Sequence, residues 1–194
     1  MNRARTFDPA TTLAQVVDLF SSRGYAETSM EDIVQTTGVS RYGLYGTFGN
    51  KRELFEQALE QYAEGMGKRS FLRLLEPGAS LQHIRAIFDE RIAEMSSPEH
   101  NKGCLFIHTA MELAPQDEEL RGVLQRFMKR MSKAFAIGLD SAKGRGEVAA
   151  DVDVDAAGEL LTSTMFGLVV LGRTGFPKKT LDGIVDTTLE GLRA

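Results

Sequence analysis

The chain has 194 residues and a mass of 21.3 kDa, of which 42% are hydrophobic and 26% charged. This length and composition fit one globular domain or two small ones and exclude a mostly disordered chain. One cysteine excludes an internal disulfide, and the longest uninterrupted apolar run, Met165 to Leu171, is too short to cross a bilayer. Because the N-terminus lacks the apolar segment of a secretory signal, we expect a cytoplasmic protein with no membrane partner.

The charge is distributed unevenly along the chain. The net charge is −4 and the sequence pI is about 5.5, which argues against general affinity for nucleic acids. Residues 1–52, however, carry six Lys/Arg against five Asp/Glu, and the acidic excess lies entirely in the remainder. This asymmetry is compatible with DNA binding at one end of the molecule only.

Apolar residues recur at helical spacing throughout, and no stretch alternates as a strand does, so we predict an all-α fold. Glycines and prolines separate the predicted helices. The first four helices are predicted to begin near Pro9, Met30, Ser40 and Lys51, and the fourth runs to about Glu76. The later helices are predicted to cover 80–96, 103–113, 117–143, 153–172 and 179–193. Gly65 and Gly67 indicate a weak point or a kink in the fourth helix.

The segment from Gly38 to Tyr45 joins two short helices by a tight turn, which is the layout of a helix-turn-helix. Gly38 permits the turn, Val39 fills the space between the helices, and Ser40 caps the second helix, whose positive N-terminus favours phosphate. Leu44 and Phe48, four positions apart, face inward. The remaining side chains of this helix then lie on the outer side, where DNA would be contacted.

The N-terminal motifs strongly resemble those of the TetR family of transcriptional regulators. The matching residues are Phe20, Gly24, Tyr25, Thr28, Ser29, Met30, Asp32, Ile33, Val34, Thr37, Gly38, Val39, Ser40, Leu44, Tyr45, Phe48, Lys51, Leu54 and Phe55. The resemblance implies a three-helix helix-turn-helix DNA-binding domain over 1–50 and an all-helical ligand-binding and dimerisation domain over 51–194. It implies a homodimeric, nucleoid-associated repressor without a cofactor, released from a palindromic operator in double-stranded DNA by an unidentified small apolar or aromatic effector.

Carried over by position, the resemblance places the DNA contacts on and around the second helix of the motif. The implied residues are Thr28, Ser40, Arg41, Tyr42, Gly43, Tyr45, Thr47 and Lys51. Arg41 and Tyr42 are candidates for reading bases, whereas Thr28, Tyr45 and Lys51 are candidates for phosphate contacts. Gly46 departs from the large residue common in the family and makes this helix intrinsically weak. Arg3 and Arg5 form either a DNA-binding arm or a disordered tail.

The last two helices are candidates for a dimer interface. The final helix carries a clean apolar stripe, and the helix before it is apolar on more than one side and so needs two partners. A purely intrachain core is the alternative. The predicted interface comprises Leu161, Met165, Leu168, Leu181, Ile184, Val185, Thr188, Leu189 and Leu192.

A ligand pocket is the second feature expected of the long helical domain, although Met and aromatic residues at helical spacing also form plain cores. The candidate lining is Phe88, Cys104, His108, Met111, Phe127, Met131 and Met165. Cys104, at a helix start, is either a thiol sensor of electrophiles, which gives an alternative redox-sensing repressor, or a small buried hydrophobe. Cys104, His108 and Glu112 share one helical face, but three ligands on one short helix do not surround an ion, so no metal site is expected.

A small helical enzyme is the competing class of protein. The sequence contains no GxSxG elbow, no HExxH motif and no phosphate-binding loop, and we therefore expect no catalytic residues.

Overall fold

The computed structural model describes residues 7–67, 71–97 and 103–194. The described residues fold into nine α-helices and a short 3₁₀ helix, Leu72–Leu74, without a β-strand beyond one isolated bridge between Val148 and Arg193. The helices are α1 Pro9–Arg23, α2 Met30–Thr37, α3 Arg41–Phe48, α4 Lys51–Met66, α5 Leu81–Ser96, α6 Leu105–Glu112, α7 Glu118–Gly144, α8 Val154–Arg173 and α9 Lys178–Glu190. The predicted all-α fold is confirmed.

The chain divides into two compact units at positions different from the predicted ones. Unit 1 comprises Met1–Gly65 and Cys104–Arg121, and unit 2 comprises Met66–Gly103 and Gly122–Ala194. Helix α4 belongs with the N-terminal helices because the ring of Phe55 packs edge-on against Phe20, with the centroids 5.0 Å apart. Helix α4 also ends at Met66, between the two glycines, and not near residue 76 as predicted.

Helices α1, α2 and α3 begin at capping residues that the sequence displays. The Asp8 carboxylate accepts hydrogen bonds from two amides of the first turn of α1. Ser29 and Asp32 form a reciprocal capping box at the start of α2. Ser40 accepts from the amide of Gly43 at the start of α3, at 3.2 Å. Local side chains thus satisfy backbone donors that would otherwise be free at each helix start.

Unit 2 is built around α5, which contacts both α8 and α9. Helices α7 and α8 approach closely at Gly158, where a Cβ would press on the backbone of α7 at Ser132. The hydroxyl of Ser132 also donates to that of Thr162, at 3.0 Å. The buried side of α8 therefore faces its own unit.

Helix α8 also has the length and apolar composition needed to cross a membrane, with a mean hydropathy of 1.5 in its most apolar window. This differs from the expectation drawn from the uninterrupted run alone. Length and composition alone are weak support for a span because core helices of globular units share them, and eight residues of α8 are buried within the structure.

Candidate nucleic-acid interface

The turn between α2 and α3 has the geometry predicted for a helix-turn-helix. Gly38 adopts a left-handed conformation, with φ of +69°, which allows the sharp change of direction. Val39 is buried in the turn, and Leu44 and Phe48 bury the inner side of α3. Since the inner side is fixed by apolar contacts, α3 presents a defined outer side.

The outer side of α3 carries large side chains that are exposed to solvent. Tyr42 is 88% exposed, which is unusual for tyrosine in a folded unit, and Tyr45 is 45% exposed. Arg41 is exposed as well, and its guanidinium lies 3.4 Å from the carboxylate of Glu31 on α2. An exposed ion pair of this kind contributes little to stability, so Arg41 can exchange Glu31 for another anion at low cost.

The two glycines of α3 have different surroundings. A Cβ on Gly43 would lie 3.1–3.3 Å from atoms of Val39, Phe7 and Ser40, so this glycine fills a tight position. Gly46 has no such neighbour within 4 Å and is exposed. The weakness of α3 predicted from the sequence therefore has a packing reason at Gly43 and none at Gly46.

Gly46→Ala is expected to raise the free energy of unfolding by about 1 kcal/mol, because alanine favours a helix over glycine and the new methyl group meets no atom. Urea denaturation followed by circular dichroism measures this. Gly43→Ala is the matched control and should gain less or lose stability, since its methyl group is crowded. A destabilised Gly46→Ala variant would show that α3 does not have this conformation in solution.

Thr28, a predicted phosphate contact, is fully buried. Its hydroxyl donates to the carbonyl of Gly24 at 2.7 Å and stabilises the loop between α1 and α2. The side chain is therefore not available to a phosphate, and this prediction is corrected to a structural role. Ser40 caps α3 and is exposed, whereas Thr47 is half-buried on the same helix.

Lys51 lies at the first position of α4 and is held over an aromatic ring. Its ammonium is 4.2 Å from the centroid of Tyr25, a cation–π contact. Burial lowers the pKa of Lys51, while the charges of Glu112 and Asp32 act in the opposite direction. The predicted cation is thus positioned by the α1–α2 loop. Arg3 and Arg5 lie outside the described residues.

The predicted pocket residues belong to different units. Phe88, Phe127, Met131 and Met165 are buried in unit 2, where the rings of Phe88 and Phe135 stack with their centroids 5.8 Å apart. Cys104, His108 and Met111 belong to unit 1. Met111 is 77% exposed, because it points away from the packed side of α6, and this does not fit a residue lining an enclosed pocket.

The structure has a cleft in unit 2 that sequence reasoning missed. Its volume is about 580 Å³, and none of the seven predicted pocket residues lines it. Charged side chains line the cleft and pair with one another, such as Arg145 with Glu147 at 2.8 Å. These internal pairs leave the cleft without an excess of one charge.

Most of the predicted dimer residues face the core of unit 2. Seven of the nine are buried within a single chain, and only Ile184 and Thr188 are half-buried. For the seven buried positions the prediction is corrected, because these side chains pack within unit 2 and those on α9 lie against α5 and α8. On α8, the apolar surface that remains exposed lies on the opposite side of the helix, where Leu160 and Val170 are about half exposed.

The row of Cys104, His108 and Glu112 on α6 has a structural role that the sequence did not indicate. The Glu112 carboxylate accepts hydrogen bonds from two backbone amides of the α1–α2 loop. Within the described ranges, no group of three His, Cys, Asp or Glu side chains lies close enough to hold a metal ion. No local pattern predicts such a contact, because its partners are 86 and 87 positions apart in the sequence.

A capped helix pair joined by a left-handed glycine, with large exposed side chains on its second helix, defines a helix-turn-helix DNA-binding protein. Residues 13–58 match the family described as "Bacterial regulatory proteins, tetR family". Residues 80–182 match "Tetracyclin repressor-like, C-terminal domain". The chain belongs to the TetR family of transcriptional regulators.

Relatives along the whole chain agree with this assignment. The HTH-type transcriptional regulator YezE of Bacillus subtilis (strain 168) is 34% identical over 99% of this chain and 100% of its own. The HTH-type transcriptional repressor ComR of Escherichia coli (strain K12) is 27% identical over 96% and 90%. A cysteine mutant of the regulator CifR, solved with 26-base-pair operator DNA, is 28% identical over 97% and 98%, with a TM-score of 0.84.

Proposed function

We propose that this chain is a homodimeric repressor that binds a palindromic operator and leaves it when a small apolar or aromatic effector binds. The outer side of α3, with Tyr42 almost fully exposed, is the observation that carries this proposal. Relatives described as a repressor and as a complex with operator DNA support it. A two-fold dimer places two copies of α3 in successive major grooves of one duplex.

The side chains around α3 take distinct roles in this proposal. Arg41 and Tyr42 read base edges, and Tyr45, Thr47 and Lys51 contact phosphates. Ser40 and Gly43 open the helix, whose N-terminal amides favour a phosphate. Arg41 exchanges the carboxylate of Glu31 for DNA, an exchange that its exposure allows. The near balance of charge in residues 1–52 limits non-specific affinity and leaves recognition to these few contacts.

The dimer is proposed to form through the open side of α8. Leu160, Ser163, Gly167 and Val170 are all exposed and follow one another at spacings of three and four residues. At about 100° per residue these positions form one stripe, opposite the buried side of the helix. A stripe of two apolar and two small residues suits close helix packing against the same stripe of a second copy.

The effector is proposed to bind among the flexible apolar side chains of unit 2, including Phe88, Phe127, Met131 and Met165. Methionine repacks readily around an apolar guest, which suits a site that is filled in the free protein. Binding there shifts the population of dimers towards a conformation in which the two DNA-binding heads, the helix-turn-helix parts of the two protomers, no longer match the operator.

The thiol-sensing alternative rests on Cys104 and gains no support from its surroundings. The side chain is 3% exposed and precedes the first turn of α6. A reactive sensor thiol requires access to its reagent, and burial denies that access. The CifR structure carries cysteine substitutions, but these describe CifR and say nothing about Cys104 of this chain. We therefore keep effector binding as the proposed signal.

Selection from random duplex DNA with the purified protein, at moderate salt, tests the proposed function. We expect enrichment of a palindrome whose half-sites are about one helical turn, roughly 10 base pairs, apart. The same selection with the Tyr42→Ala variant is the control and should enrich the palindrome much less than the wild type does. When the selected sequence is placed in the promoter of a reporter gene, added protein should lower transcription of that gene. A confirmed dimer that enriches no sequence would contradict the proposal.

A further inference from the structure

The C-terminal residue of α6 holds the loop between α1 and α2. The backbone amides of Tyr25 and Ala26 donate to one oxygen of the Glu112 carboxylate, at 2.9 and 3.0 Å. Both partners belong to unit 1. Hydrogen bonds from amides to an ionised carboxylate are stronger than those to a neutral acceptor, and here two of them meet on one atom.

The loop is shaped to receive this carboxylate. Gly24 has φ of +86°, a conformation that favours glycine, and a Cβ at this position would overlap the Glu112 side chain. The glycine therefore does more than end α1, because it also leaves the space that the carboxylate fills. The second oxygen of Glu112 lies 3.3 Å from Nδ1 of His108, one turn earlier on α6.

The same loop residue that Glu112 binds also supports the cation of α4. The ring of Tyr25 packs edge-on against Phe55, with centroids 4.9 Å apart, and stacks on Phe20 at 6.1 Å. Its face carries the ammonium of Lys51 at 4.2 Å. The position of Lys51 thus depends on a ring whose backbone is tied to α6 through Glu112.

We infer that Glu112 is a positioning residue for DNA binding, which ties the α1–α2 loop so that Tyr25 holds Lys51 where a phosphate of the operator lies. The inference rests on the proposed operator binding. It makes the last turn of α6 part of the DNA-binding apparatus, although Glu112 itself touches no DNA. A displacement of α6 away from the loop breaks both hydrogen bonds to the Glu112 carboxylate, and the ring of Tyr25 then no longer holds Lys51 in place.

Operator affinity and its salt dependence test the inference, measured by fluorescence anisotropy with the selected duplex. Glu112→Ala should weaken binding about tenfold or more, as expected for a lost phosphate contact in each head. The slope of log K against log[salt] should flatten by about two, one phosphate for each head. A merely structural defect lowers affinity without this change of slope.

Conservative variants and a matched control separate geometry from charge. Glu112→Gln keeps an oxygen that accepts from the two amides and should lose less affinity than Glu112→Ala. Glu112→Asp keeps the charge but shortens the reach, and should behave like the alanine variant. Glu118→Ala removes an acidic side chain of unit 1 that lies at the start of α7, with its side chain 92% exposed, and should bind like the wild type.

A double-mutant cycle with Lys51→Ala decides whether the effect passes through Lys51. Adding Glu112→Ala to Lys51→Ala should cause little further loss, because both changes remove the same contact. If Glu112→Ala fails to fold, the aspartate variant provides the same comparison. Wild-type affinity and slope in the folded alanine or aspartate variant would overturn the inference, as would full additivity in the cycle. A wild-type protein that selects no operator would contradict the proposed function instead.

Discussion

Replacing Tyr42 with alanine is expected to weaken operator binding by about a hundredfold, while the protein remains folded and dimeric. A good side-chain contact to a base is worth about 1–3 kcal/mol, and a two-fold dimer loses one contact in each head. The side chain is 88% exposed in the free protein, so its removal leaves no cavity. Stability should change by no more than about 0.5 kcal/mol, as for other surface substitutions.

Anisotropy with the selected duplex measures the affinity of Tyr42→Ala, and thermal unfolding measures its stability. Tyr42→Phe is the matched control, since it keeps the ring and removes only the hydroxyl group. Retained affinity in the phenylalanine variant would assign the contact to the ring, and a loss as large as with alanine would assign it to the hydroxyl. An alanine variant that binds like the wild type would show that the outer side of α3 does not read the operator.

Features determined by a few neighbouring residues could be predicted from the sequence. Ser29 and Ser40 are cap residues whose partners lie three positions further on, and the structure has both caps. Gly38 ends α2 in the left-handed conformation that the turn requires. The helix-turn-helix was predictable because these local rules and the inward positions of α3 agree.

Features that depend on the conformation of a loop or on distant partners could not be predicted. A threonine at a helix start suggests either a cap or a phosphate contact, and only the loop geometry reveals that Thr28 donates to Gly24. In the sequence, Glu112 was notable only for sharing one helical face with Cys104 and His108. Its actual partners, the amides of Tyr25 and Ala26, carry no side-chain signal and lie far away in the sequence.

The interface residues were predicted on the wrong side of α8 because helical periodicity alone does not identify the side that faces a second copy. A helix that is apolar on two sides has two candidate core faces, and spacing alone does not say which faces its own chain. The structure assigns one side of α8, including Leu161 and Leu168, to the core of unit 2. The remaining side, with Leu160 and Val170, then becomes the candidate for a second copy.

This assignment predicts that Leu160→Asp combined with Val170→Asp converts the dimer into a monomer. Both side chains are about half exposed in the single chain, so the charges should leave each chain folded. In a dimer the charges would be buried opposite their own copies, where an unpaired carboxylate is strongly unfavourable. Operator affinity should fall on the order of a hundredfold or more, because each head then binds its half-site without the other.

Sedimentation velocity gives the oligomeric state of the double variant, and circular dichroism gives its helix content. Leu72→Asp is the matched control: this leucine is 54% exposed in the same unit, outside α8 and α9, and its variant should remain dimeric. Dimers that persist in the double variant would exclude the open stripe of α8 as the interface. Seven of the nine interface residues predicted from the sequence are buried in the chain's own core. The interface would then have to lie outside both that predicted set and the open stripe of α8.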